Sequence, residues 1–254
     1  MRDRFLSHGR GLLLVLVGVA AIVWLASSGR LGLYIHPRYF EFTVIMAVLA
    51  GVVAIVAAAF VPQIGPEDDD HGHAASSGRR ARWLTVGSIV LLMATTTALL
   101  VVPPSTLTSS TVAQRDINSS AAGAADAGDA PALVAGDGSA FSVKDWAGLL
   151  RQGVDERYLA DAQPDLTGFV TPDPDDPENV FYVARFVVTC CAVDAQPVGV
   201  PVYLPGWQQD HPVDSWVQVS GRFVPNPSAT SMQPLAIDPT RVAPIDQPTD
   251  PYVY

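Results

Sequence analysis

Cysteine is scarce in this chain of 254 residues. Its only two cysteines, Cys190 and Cys191, are adjacent in "FVVTCCAVDAQP" (186–197). The pair lacks the two-residue spacer of the usual redox motif, so the spacing does not indicate an oxidoreductase site. Two thiols also fall short of the four ligands that a structural zinc site requires. A metal site at this pair therefore needs donors from other side chains.

Basic residues are scarce after residue 103. The stretch 103–254 carries 7 Lys and Arg against 19 Asp and Glu, a net charge of −12. Nucleic-acid binding requires cations that neutralise phosphates, and adhesion to anionic lipid requires a basic cluster. We therefore predict that this part of the chain binds neither nucleic acid nor an anionic lipid surface.

Recognisable catalytic motifs are missing too. The sequence shows no Ser-His-Asp arrangement and no glycine loop that would hold a phosphate, and His211 is the only histidine after residue 103. Nucleophilic catalysis of the triad type requires a base within reach of the nucleophile. No enzymatic activity is therefore expected.

Long apolar runs do occur in the first hundred residues. About 20 mainly apolar residues cross a bilayer, which predicts three transmembrane helices at about 11–28, 40–61 and 83–102. Basic residues precede the first and third runs (Arg2, Arg4, Arg10, Arg79, Arg80 and Arg82). Because such residues favour the cytoplasmic side, the N-terminus is predicted to be cytoplasmic. A cleaved signal peptide is the alternative for the first run.

These runs predict a multi-pass protein of the plasma membrane, with the lipid bilayer as a partner. Residues 1–102 form the predicted transmembrane region and 103–130, rich in Ser, Ala and Gly, a flexible linker. Residues 131–254 form the predicted extracytoplasmic, mainly-β domain. The loop at 63–82 holds a weak candidate for metal capture on the cytoplasmic side, made of carboxylates and imidazoles (Asp68, Asp69, Asp70, His71 and His73).

The fold expected for 131–254 is a small OB-like barrel with one helix. The helix is predicted in "SVKDWAGLLRQG", between a Ser142 cap and a Gly153 stop. Five strand-like runs follow, separated by Pro, Asp and Gly. Gly168 and Gly221 lie within two of these runs, and such glycines often mark bulges that curl a sheet. A five-stranded sandwich is the alternative.

The cysteine pair stands at the end of the long strand-like run 179–191. If this strand is straight, alternation of side chains places Cys190 in the core and Cys191 outside. Three interpretations compete: a strained vicinal disulfide, inert packing, and a functional thiol site. In the third interpretation, Cys190, Cys191 and Asp194 are candidate ligands for a substrate or a metal. His211 would be a further donor, and the cofactor would be a divalent ion such as zinc.

The chain resembles a known family at both ends. The runs "RFVVTCCAVDAQPVGVPV", "WVQVSGRF", "PTDPYVY" and "LGLYIHPRYFEF" are similar to the YcgQ-like family of uncharacterised bacterial membrane proteins. Members are described as permease subunits with a small membrane region and a soluble C-terminal domain. The resemblance implies a multi-spanning membrane permease as the partner.

These observations predict an accessory subunit of a membrane permease complex. Its tethered domain would bind substrate or metal, or regulate the permease. Two alternatives remain open: a membrane-anchored thiol redox protein, and a non-enzymatic envelope interaction module that uses aromatic residues such as Trp207.

Overall fold

The computed structural model describes residues 2–60, 86–87, 90–91, 94, 107–119, 141–153 and 156–254. The chain divides into two compact units, and their boundary does not follow the chain in a simple way. The second unit contains the described residues from 107 onward and also Leu33–His36, which precede the rest of it by some seventy residues of sequence. The two units are therefore described separately.

The residues described in full in the helical unit form two long helices, α1 (Arg2–Ser27) and α2 (Phe40–Phe60). Short 3₁₀ turns follow α1 and precede α2, at Arg30–Leu33 and Pro37–Tyr39. A Cβ added to Gly51 of α2 would lie 3.3 Å from a methyl group of Val19 in α1. The missing side chain at Gly51 therefore lets the two helices approach closely.

The prediction of three transmembrane helices is wrong. Among the described residues, one helix is long and apolar enough to cross a bilayer: Pro37–Phe60, with 24 residues and a mean hydropathy of 2.7. The apolar part of α1, Gly11–Ser27, is shorter. At 1.5 Å per residue it spans about 26 Å, less than the roughly 30 Å of a hydrocarbon core. The third run, 83–102, falls almost entirely outside the described residues.

The second unit is built on six strands, preceded by three helices. The helices are α3 (Ser109–Val112), α4 (Val143–Gln152) and α5 (Glu156–Asp161). The strands are β1 (Asp165–Pro172), β2 (Val180–Val187), β3 (Gln196–Tyr203), β4 (Trp216–Pro225), β5 (Leu235–Ile245) and β6 (Tyr252–Val253). We call this unit the sheet domain.

The sheet is mixed and closes on itself. Its strand order is β1-β4-β5-β3-β2-β6, and β1 pairs with β2 as well as with β4. Strand β3 runs parallel to β5, and β2 runs parallel to β6, whereas the other pairs are antiparallel. The predicted five-stranded, OB-like barrel with one helix is thus corrected to a six-stranded mixed sheet with more helices. The short β6 escaped prediction because two residues show no alternation.

Two glycines allow the strands to curl. Residues 165–169 of β1 pair with β4 and 169–172 pair with β2, so Gly168 lies where the strand changes partner. A Cβ at Gly168 would lie 2.6 Å from the carbonyl oxygen of Ala184. The register of β4 shifts between Ser220 and Gly221, which confirms the predicted bulge there.

Helix α4 covers one side of the core. Its predicted ends are confirmed, because Ser142 and Asp145 form a capping box and Gly153 ends the helix in the left-handed conformation. The buried face of α4 includes Trp146, which packs against Phe141 and Phe223 at ring-centroid distances of 5.1 and 5.2 Å. The rest of this core consists mainly of valines from β2, β3 and β4.

Part of the predicted linker is held against the sheet. The carboxamide of Asn118 donates to the carbonyl of Gly199 at 2.9 Å and accepts from its amide at 2.8 Å, as a neighbouring strand would. Ser109 donates from its amide to the Asp214 carboxylate at 2.7 Å, and its hydroxyl donates to the same group. Residues 107–119 therefore belong structurally to the sheet domain. The remainder of 103–130 lies outside the described residues.

Candidate functional site

The candidate site is the turn that joins β2 to β3, which we call the cysteine turn (residues 188–195). Strand β2 ends at Val187, and Val188 is buried, with its amide donating to the carbonyl of Val253 at 3.1 Å. Cys190 is exposed and Cys191 is half-buried, and neither forms a disulfide. The expected orientation, with Cys190 in the core, is therefore wrong. The strand ends before the pair, so alternation no longer applies.

Asp194 organises this turn. One carboxylate oxygen accepts from the amide of Thr189 at 3.1 Å, and the other accepts from the amides of Cys190 and Cys191 at 2.7 and 3.3 Å. The carbonyl of Cys191 in turn accepts from the Asp194 amide at 3.0 Å. A carboxylate that binds three successive amides fixes a tight turn, because it satisfies donors that lost their strand partners.

The turn brings three predicted ligands together. The two sulfur atoms and a carboxylate oxygen of Asp194 lie within 4.8 Å of one another. Thiolates are ligands for soft and borderline metal ions, so the arrangement is chemically suited to capture a metal ion. Among the described residues, this is the one group of three or more such ligands that lies close enough together.

His211, the fourth predicted ligand, belongs to a different part of the sheet domain. It follows the 3₁₀ turn Trp207–Gln209 and donates from its amide to the carbonyl of Trp207 at 2.9 Å. The side chain is 8% exposed, and no described protein atom pairs with its Nδ1. It does not belong to the group of ligand atoms that Cys190, Cys191 and Asp194 form. The candidates Asp68, Asp69, Asp70, His71 and His73 lie outside the described residues.

A short segment from the N-terminal part of the sequence pairs with the cysteine turn. Ile35 forms an antiparallel bridge with Cys191. The amide of His36 donates to the carbonyl of Cys190 at 3.0 Å, and the amide of Ala192 donates to the carbonyl of Tyr34 at 2.8 Å. We call Leu33–His36 the strap. It holds the backbone on both sides of Cys191.

Arg115 holds the turn from another direction. Its guanidinium donates to the carbonyl of Val193 at 3.1 Å and also to the carbonyl of Ala195. Sequence reasoning missed both Arg115 and the strap. The motif that contains the strap, "LGLYIHPRYFEF", is one of the four runs that show the family resemblance, but no local pattern relates it to a turn more than 150 residues away.

A cavity of about 610 Å³ lies elsewhere on the sheet domain. It is lined by residues between 109 and 117, which pack against the sheet, by the end of β1, and by Tyr182, Val213 and Gln233. Such a volume is typical of small-molecule pockets. Burial raises the pKa of the Tyr182 phenol, and the neighbouring Asp173 carboxylate raises it further. The phenol is therefore neutral in the folded chain.

This neutral phenol predicts a loss of stability in alkali. In the unfolded chain the phenol ionises near pH 10, whereas the folded state resists ionisation, so the free energy of unfolding should fall as the pH rises above about 10. Tyr182→Phe should lose less stability over this range, as measured by urea unfolding between pH 8 and pH 11. Val213→Ala, at an exposed residue of the same cavity, is the control. Parallel curves for wild type and Tyr182→Phe would show that the phenol ionises freely.

Comparison with protein families now adds to this geometry. The model of the DUF1980 N-terminal domain matches residues 10–118, and the model of the DUF1980 C-terminal domain matches residues 154–254. The chain belongs to the DUF1980 family. No curated protein and no solved structure matches it significantly. Membership of this uncharacterised family is thus established, whereas the name YcgQ and the role of a permease subunit are not.

The DUF1980 segments differ from the structural units. The N-terminal DUF1980 segment contains both the strap and the docked residues 107–118, yet these lie in the sheet domain. The cysteine turn belongs to the C-terminal DUF1980 segment. In this DUF1980 chain, residues from the N-terminal segment therefore complete a site whose thiols come from the C-terminal one.

Proposed function

We propose that this chain is an accessory subunit that captures a metal ion through Cys190 and Cys191 and works beside a multi-spanning membrane permease. The observation that carries the proposal is the cysteine turn itself. Asp194 folds the turn so that the two thiols, which form no disulfide, lie close together, and one of them is exposed. An exposed thiol beside a half-buried one suits an ion that must enter and leave.

The membrane part of the proposal rests on α2 and on the family resemblance. Pro37–Phe60 has the length and composition of a membrane span. The described residues of α2 contain one charged side chain, Glu41, at the start of the helix. Intramembrane ionisable groups usually mark a transport pathway. We therefore assign the pathway to a partner protein and the capture of the ion to this chain.

The alternative interaction module loses its main support. Trp207, the aromatic residue chosen as a binding group, is 2% exposed and packs against Phe181 at a centroid distance of 5.3 Å. A residue buried to this degree contributes to the core and cannot contact a partner. The thiol redox alternative requires the two sulfurs to form a bond, which would give an eight-membered ring and displace the amides that Asp194 now holds.

Purification of the tagged full-length chain from native membranes tests the proposal. We expect mass spectrometry to find a multi-spanning permease in near-equal amount, and elemental analysis to find a bound metal. The double variant Cys190→Ser/Cys191→Ser should retain the permease and lose the metal. A chain that is recovered without a permease would disprove the subunit role, and unchanged metal content in the double variant would disprove capture by the thiols.

A further inference from the structure

The donor count at the cysteine turn limits which ion it can bind. We propose that Cys190 and Cys191 bind a soft, two-coordinate ion of the Cu(I) type through their sulfurs alone, and that Asp194 positions the thiols without binding the ion. This inference rests on the proposed capture function and names the class of ion. It departs from the expectation of zinc.

The upper limit on the distance between the two sulfurs is compatible with a linear site. At a metal–thiolate bond length of about 2.3 Å, a linear S–metal–S arrangement places the sulfurs about 4.6 Å apart. The sulfurs of Cys190 and Cys191 lie within 4.8 Å of each other. Both sulfurs are therefore close enough together to bind one ion.

Most of the acceptor positions of the Asp194 carboxylate already bind backbone amides. An ionised carboxylate offers about four lone-pair positions. Three backbone amides donate hydrogen bonds to Asp194, and both of its carboxylate oxygens accept them. Binding an ion through either oxygen would weaken the hydrogen bonds that shape the turn. Asp194 thus acts as a group that positions the ligands.

The described residues offer zinc too few ligands at this position. A structural zinc ion requires four donors in a tetrahedral arrangement, and a catalytic one requires three from the protein. Cys190, Cys191 and Asp194 form the group of close ligands. Neither His211 nor any other Cys, His, Asp or Glu of the described residues belongs to it. Two thiolates favour a soft ion, for which sulfur is the preferred ligand.

The charges of such a complex balance in a simple way. Each thiol releases one proton when it binds, so Cu(I) replaces two protons and the bound site carries one negative charge. The guanidinium of Arg115, which donates to Val193 and Ala195 in the same turn, supplies a neighbouring positive charge. No oxidant or reductant is consumed, because copper stays in the Cu(I) state throughout.

A competition experiment on the full-length chain in detergent tests this inference. The reduced protein is titrated without oxygen with Cu(I) against bathocuproine disulfonate, and Zn(II) is offered separately in equilibrium dialysis. We expect one Cu(I) per chain, an X-ray absorption edge typical of two-coordinate Cu(I), and no retained zinc at micromolar concentration. Cys190→Ser and Cys191→Ser should each abolish competition for Cu(I).

Asp194 and Val193 supply the informative variants. Asp194→Asn should lower the Cu(I) affinity by about 10-fold, as expected for a group that only orients a ligand. Val193→Ala, in the same turn and with a side chain that is 82% exposed, should match wild type. Retention of one zinc per chain that disappears in Asp194→Asn would overturn the inference yet leave metal capture intact. Failure to retain either ion would overturn both proposals.

Discussion

Gly221→Ala is expected to lower the free energy of unfolding of the sheet domain by about 3 kcal/mol, at the upper end of the usual cost of overpacking. A Cβ at this position would collide with the carbonyl oxygen of Asp238 and would lie 2.7 Å from a methyl group of Ile237 and 2.9 Å from the Cα of Pro239. Two of these atoms belong to the backbone of β5, so they cannot move without disturbing the pairing of β4 with β5.

Gly148→Ala is the matched control for this prediction. Gly148 lies in α4, where an added Cβ meets no atom within 4 Å. Alanine should stabilise the helix by about 0.5–1 kcal/mol. Both variants are measured by urea unfolding of the full-length chain in detergent, followed by tryptophan fluorescence. Equal stabilities of Gly221→Ala and wild type would mean that the bulge can accept a side chain.

Trp146→Ala should cost about 4 kcal/mol, the usual penalty for removing a large aromatic side chain from a core. Trp146 is 0% exposed and lies between Phe141 and Phe223. Its indole nitrogen donates to no described protein atom. Trp146→Phe therefore loses no protein hydrogen bond and leaves a smaller cavity, so it should cost about 1–2 kcal/mol.

The comparison between these two variants makes the prediction specific. Thermal unfolding followed by near-ultraviolet circular dichroism measures both, with Val193→Ala as the surface control. If Trp146→Phe were as damaging as Trp146→Ala, the indole N–H would have a role in the fold that its contacts do not explain.

Local patterns predicted much of the sheet domain. The ends of α4 follow from Ser142 and Gly153, and the bulge in β4 follows from Gly221, because each feature depends on a residue at the position itself. The membrane prediction failed for a related reason. Composition alone predicted that both α1 and α2 cross the membrane, although the apolar part of α1 is shorter.

The cysteine turn could be predicted only in part. The grouping of Cys190, Cys191 and Asp194 follows from their spacing and agrees with the structure. The exposure of Cys190 does not follow, since it depends on where β2 ends, and Asp194 stabilises that end from seven residues beyond Val187. The strap and Arg115 reach the turn from distant sequence, and no periodicity records such contacts.

The strap has a consequence for the order in which the chain folds during synthesis. Residues 33–36 leave the ribosome long before residue 191 is synthesised, so the strap cannot pair with the cysteine turn at that stage. Closing a loop of about 155 residues costs about 4.5 kcal/mol in chain entropy. The two backbone hydrogen bonds of His36 and Ala192 contribute about 1 kcal/mol each, which is too little to close that loop alone. We therefore expect the strap to pair after the sheet has folded, when Leu33 can also pack against the buried cluster of Phe169, Tyr182 and Phe186. A fragment made from residues 154–254 alone would leave this short edge open to other strands.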